Sequence, residues 1–190
     1  MAISLNFLSL VETKHLILKE ITEVDLNDII NLRRLRSNNH LSPISSNLSD
    51  QIIYYKKYKI RRAENSEIYY KIIEKGNLSA MAGLVRLTEI NNPIKFSWES
   101  LIVADGVAPY TSLDAMMTIY RIGFETLHKE ICGPWTIPID AKHLYNLHTK
   151  VGMASEINRD EKFYYMVVKK QDFLNRYSFF KKIGFGLYAF

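Results

Sequence analysis

From Trp98 to Leu127 the chain reads WESLIVADGVAPYTSLDAMMTIYRIGFETL, and this block limits the fold more than any other. A strand-like run, Lys95 to Ala104, gives way to a short loop containing Gly106 and Pro109. A long amphipathic segment, TSLDAMMTIYRIGFETLHKE, follows, with Leu113, Met116, Tyr120, Phe124 and Leu127 at helical spacing and Thr111 with Asp114 as a capping pair. Strand, tight loop and helix in that order form the layout of a phosphate-binding turn, in which backbone N–H groups and the helix N-terminus hold an anion. The loop is unusual for that use, because it holds one glycine and no Lys or Arg.

The flanking segments predict a mixed α/β (α+β) chain. KHLILKEI alternates as a strand, and TEVDLNDIINLRRLRS is a helix opened by Thr22, acidic early and basic at its end. NNHLSPISSN is a loop, Leu48 to about Arg62 a second helix, and EIYYKIIE and SAMAGLVRLTEI a hairpin turning at Gly76-Asn77. CGPWTIPI reads as a buried strand, DAKHLYNLHTKVG as a helix closed by Gly152, and KFYYMVVKK as a late strand before a short helix from about Gln171. The order β-α-α-β-β-β-α-β-α-β makes one sheet flanked by helices, a single domain over residues 1–190 that 47% hydrophobic content can supply with a core.

The net charge of +5 suits anionic partners, yet the basic residues are spread among 20 acidic ones. The densest cluster, Lys56 to Arg62, reads as a solvated helix face, so no nucleic-acid partner is expected. Cys132 is the only cysteine, which excludes a disulfide framework and a cysteine zinc site and fits a reducing cytoplasm. No metal spacing occurs, the opening residues lack a signal-peptide pattern, and no segment has the apolar length of a membrane span. The aromatic tail YSFFKKIGFGLYAF is expected to pack on the domain.

ETKHLILKEITEVDLNDIINLRR, LYNLHTKVGM and the strand-loop-helix at Ala104 to Ser112 together resemble the GNAT superfamily of acetyl-CoA-dependent N-acetyltransferases. The likeness lies with the branch of ribosomal-protein alanine and bacterial amino-sugar acetyltransferases. It implies a central, mixed, mostly antiparallel twisted sheet, acetyl-CoA as co-substrate, and transfer of acetyl to the amine of a small acceptor, a nucleotide-linked amino sugar. The alternatives are a protein N-terminal acetyltransferase, or an acyl-CoA-binding module that has lost catalysis. A homodimer is left open.

By the same resemblance, peptide groups of Leu101, Ile102 and Val103 hold the pantetheine arm and polarise the thioester carbonyl, while Val107, Ala108, Tyr110, Thr111 and Ser112 seat the pyrophosphate. The family's loop has Arg or Gln and then several glycines where this chain has GVAPYTS, and Ala141 stands where relatives have a cofactor-binding Asn. Glu99 is the candidate general base, since a carboxylate desolvated beside Trp98 accepts a proton near neutral pH; the other reading is an exposed Glu99 paired with Lys or Arg. Glu89 is a weaker candidate. His148 matches the family's proton-donating tyrosine in the late helix, with an imidazole titrating near neutrality, and Tyr145 is the other candidate donor. His40, Ser42, Ser45 and Ser46 are expected to bind acceptor hydroxyls, and Tyr70 and Trp98 to stack on a sugar or base.

Overall fold

The structure, a computed structural model, describes residues 5–35, 45, 47–186 and 188–189. The strands are β1 (Leu10–Thr13), β2 (Leu16–Glu20), β3 (Glu67–Glu74), β4 (Gly83–Thr88), β5 (Lys95–Val103), β6 (Ile131–Pro138), β7 (Ser155–Arg159), β8 (Phe163–Lys169) and β9 (Tyr188–Ala189). They form one sheet in the order β7-β8-β6-β5-β4-β3-β2-β1-β9, antiparallel throughout except for the pair β5 and β6. The helices are α1 (Leu26–Leu35), α2 (Leu48–Ala63), α3 (Thr111–Arg121), α4 (Lys142–Lys150) and α5 (Lys170–Lys182). The mixed, mostly antiparallel sheet is the one the resemblance implies. Strands β1, β7 and β9 were not expected, because they are short and β7 alternates no apolar residues.

Both faces of the sheet are covered, which is why β3 opens with four consecutive buried residues instead of an alternation. Ile68, Tyr70 and Ile72 belong to the larger core, with Tyr120, Phe124 and Phe173 from the side of α3 and α5. Tyr69 turns the other way, into the smaller core of Leu26, Ile29 and Tyr58 beneath α1 and α2. Thr22 begins its helix as the sequence implies, with a capping box to Asp25.

The expected Thr111–Asp114 cap does not form. Asp114 is buried and accepts from the Thr13 hydroxyl at 2.7 Å and from the Gly186 amide at 2.7 Å, tying α3 to the start of the sheet and to the C-terminal segment. Arg121 donates to the Gly186 carbonyl at 2.6 Å, so this part of the aromatic tail packs against α3. The last part of the long amphipathic segment leaves the α-helix for a π-helical turn at Ile122–Thr126.

Strands β5 and β6 pair only at Lys95–Ile131 and Phe96–Cys132, and then diverge. Two local causes lie on the strands themselves. In β6 the next residues are Gly133, with φ of +105°, and Pro134, which has no N–H for a ladder. In β5 the register against β4 slips between Arg86–Glu99 and Leu84–Ile102, with Ser100 in the left-handed region at φ of +57°. The sheet therefore opens along one seam, and the loop before α3 lies at the end of β5.

Candidate active site

A cavity of about 720 Å³ fills this seam and continues beneath α1 and α2. Trp98, Glu99 and Leu101 reach it from β5, Trp135 from β6 and His148 from α4. Arg33 of α1, Tyr54 of α2, Tyr69 of β3 and Arg86 of β4 line the far end. Because the Ala104 amide bonds to the Ala82 carbonyl at 2.9 Å, strand alternation turns the peptide groups of Val103 and Leu101 toward the β6 side. Ile102 is buried in the smaller core and presents its side chain away from the seam.

Trp98, Trp135 and His148 form a three-ring wall. The ring centroids are 6.0 Å apart for the two tryptophans and 5.5 Å from each tryptophan to the imidazole. The Trp135 Nε1 and His148 Nδ1 atoms are buried with no hydrogen-bond partner among the described residues. Buried polar atoms are ordinarily satisfied, so a wall that leaves two of them unused is suited to a polar ligand.

The imidazole corrects one expectation. Burial among rings lowers the pKa of His148 to about 4 in place of the near-neutral value, so at neutral pH it is an uncharged ring with one N–H and one lone pair. The unfolded chain binds that proton near 6.5 and the folded chain only near 4. Stability is therefore full above about pH 6.5 and declines as the pH falls toward 4, by about 3 kcal/mol from this group. Thermal unfolding between pH 4 and 7 should show a steeper acid loss for the natural protein than for His148→Phe, which keeps the ring and removes the proton site. Parallel curves for the two proteins would contradict the assignment.

Glu99 follows the second of its two readings. Its side chain is 49% exposed and accepts from the Arg86 guanidinium, so it stands at the cavity rim without the desolvation expected beside Trp98. Arg86 also lies 3.7 Å from Glu67 and donates to the Tyr54 hydroxyl. Glu89 is at the end of the hairpin, 3.0 Å from Lys95, and does not line the cavity. Tyr145 lies outside the cavity wall, where its hydroxyl donates to Glu156 at 3.0 Å, a bond that raises its pKa, and its ring packs 4.3 Å from Tyr164.

In the loop, Gly106 takes the one left-handed position, φ of +76°. Val107 packs on the larger core, and Tyr110 is exposed beside His15, with ring centroids 4.7 Å apart. The Ala108 amide donates to Glu74 Oε1 at 2.8 Å, and the Thr111 hydroxyl donates to the same oxygen. The Thr111 amide bonds to the Ala108 carbonyl at 3.0 Å. The amides of Ser112 and Leu113 in the first turn of α3 have no acceptor among the described residues.

Tyr70 is not a stacking surface. It is fully buried and donates to the Leu8 carbonyl at 2.8 Å, because strand alternation gives the cavity position to Tyr69. Ser45 lines the cavity and donates to Asp50 at 2.6 Å. His40, Ser42 and Ser46 lie outside the described residues. Sequence reasoning missed Arg33, Arg86, Tyr69, Trp135 and Glu74. A charged residue inside the apolar run GLVRLT was a usable sign for Arg86; for Glu74, 34 positions before Ala108, no local sign existed.

No helix among the described residues is long and apolar enough to cross a membrane, and no cluster of three metal-binding side chains occurs among them. Burial pushes the Cys132 thiol well above its usual pKa.

No protein-family model matches the chain, and no curated protein matches it. Solved structures do. FdhC, a nucleotide-linked sugar GNAT in its apo form, superposes with a TM-score of 0.79 at 23% identity, covering 91% of this chain and 97% of its own. Spermidine N-acetyltransferase from Vibrio cholerae, in complex with CoA and spermine, gives a TM-score of 0.66 at 18% identity, covering 84% of this chain and 98% of its own. The chain has the GNAT fold.

Proposed function

We propose that the protein transfers an acetyl group from acetyl-CoA to the primary amine of a small acceptor, a nucleotide-linked amino sugar. The observation that carries this reading is the seam. Diverging β5 and β6 leave a cavity between them, and β5 leads directly into a loop and helix end with free amides at Ser112 and Leu113. A long anionic co-substrate carrying a thioester is the ligand such a seam suits. Its pyrophosphate would lie at the amides of Ser112 and Leu113 beside Val107 to Thr111, and its arm along Leu101 to Val103.

In the reaction, the neutral amine attacks the thioester carbonyl. A C–N bond forms, the C–S bond breaks, the ammonium proton leaves and the coenzyme thiolate takes one up. Peptide N–H groups of β5 facing the seam stabilise the developing oxyanion. Glu99 at the rim is placed to pass the amine's proton to water. His148, uncharged at neutral pH, orients the reacting groups through its one N–H and one lone pair and is not held as an imidazolium.

The acceptor class rests on the lining of the cavity. Arg33 and Arg86 stand against one carboxylate, Glu99, among the described lining residues, and the ring faces of Trp98 and Trp135 offer apolar contact. Two guanidinium groups favour a phosphate-bearing acceptor and oppose a polyamine or a basic peptide terminus. At equal concentration, an amino sugar linked to a nucleoside diphosphate should be acetylated faster than spermidine or an N-terminal peptide. Faster turnover of either competitor would reverse the assignment, and tight acetyl-CoA binding without turnover of any amine would favour a binding module.

A further inference from the structure

Glu74 ends β3, and its carboxylate crosses to the loop before α3. One oxygen accepts both the Ala108 amide, at 2.8 Å, and the Thr111 hydroxyl. Ala108 and Thr111 are two of the loop residues beside which the acetyl-CoA reading seats the pyrophosphate. The helix that follows has 11 residues, and its positive end stabilises a carboxylate for the same reason that it would stabilise a phosphate.

We propose that Glu74 is an internal competitor for the pyrophosphate of the coenzyme, an anion of the chain itself that must leave the loop, or be tolerated beside a second anion, each time acetyl-CoA binds. The inference rests on the acetyl-CoA reading above and adds to it the residue that sets coenzyme affinity. Three features support it. The carboxylate and the pyrophosphate would share donors, so binding one removes hydrogen bonds from the other. The nearest sequence cation, Lys75, is engaged with Glu12 at 3.0 Å, on the far side of the backbone alternation from Glu74. The side chain can also swing away without loss of the sheet, because the strand pairing at Glu74 with Leu16 and the turn bond from the Asn77 amide to the Glu74 carbonyl use only its backbone.

The test is Glu74→Gln, which keeps an oxygen acceptor of the same reach for Ala108 and Thr111 and removes the charge. By calorimetry, coenzyme A should bind the variant roughly tenfold more tightly, the order expected when one like-charge contact near a protein surface is removed. S-acetylpantetheine, which lacks the pyrophosphate, should bind both proteins equally. Glu74→Asp keeps the charge but withdraws it by one methylene, and should tighten coenzyme A binding less than Glu74→Gln. Equal coenzyme A affinity in the natural protein and a folded Glu74→Gln variant would overturn the proposal. Weaker binding by the variant would overturn it too, making Glu74 a brace for the loop, as would an equal gain for S-acetylpantetheine. If coenzyme A bound none of the three proteins, the acetyl-CoA reading itself would fall and this inference with it.

Discussion

Acetyl-CoA should bind the Ala108→Asp variant roughly 100-fold more weakly than the natural protein. The Ala108 amide is one of the donors at the head of α3 and already faces the Glu74 carboxylate at 2.8 Å. An aspartate here places a second carboxylate beside Glu74 and against the incoming pyrophosphate. Two unit charges about 5 Å apart interact by about 3 kcal/mol at an effective dielectric near 20, and about 1.4 kcal/mol corresponds to each factor of ten. Ala108→Asn has the same bulk without the charge and should lose only a few-fold. Calorimetry on both variants, with thermal unfolding to confirm their folding, separates charge from shape. An Ala108→Asp protein that folds and binds normally would remove the pyrophosphate from this loop.

The largest effect on stability should come from Gly123→Ala. Gly123 lies in the π-helical turn after α3, and a β-carbon there would stand 2.1 Å from Cζ and 2.2 Å from Cε1 of Phe96. Phe96 cannot yield easily. It is fully buried, it makes the last parallel pair with Cys132 before the strands diverge, and its ring packs edge-on against Phe124 at 5.0 Å. Overpacking of this kind costs about 3 kcal/mol, which lowers Tm by roughly 10 °C in a chain of this length. The pair can be checked by a double-mutant cycle. Phe96→Leu alone should destabilise, whereas Phe96→Leu with Gly123→Ala should lose less than the sum of the two. Additive losses would mean that the two residues do not meet as described.

The sequence showed where elements begin and what chemistry surrounds the loop, and it erred where one side chain had to be assigned to one of two faces. Tyr69 and Tyr70 are adjacent in EIYYKIIE, and nothing in that run tells which of them faces a cavity when both faces of the sheet are covered. Glu99 was read from its neighbour Trp98, but its environment is set by Arg86 across the strand pair. The late helix was legible as the element that carries His148, and His148 does line the cavity. The loss of proton affinity at His148 was not, because it comes from burial against Trp98 and Trp135 of two different strands.

Local periodicity, turn residues and capping chemistry act over a few positions, and by themselves they determined the strand-loop-helix block and the succession of the longer elements around one sheet; its mostly antiparallel type came from the resemblance to the GNAT superfamily. What only the tertiary structure decided is the state of the groups within the site. The seam lies where Ser100 marks a slip of β5 against β4 and where Gly133 and Pro134, more than 30 positions later, interrupt β6. The occupant of the Ala108 amide is a carboxylate from the far end of β3. Desolvation, ion pairing and competition for a helix end all depend on distances through space, and the chain sets those distances only when its sheet has closed around both cores.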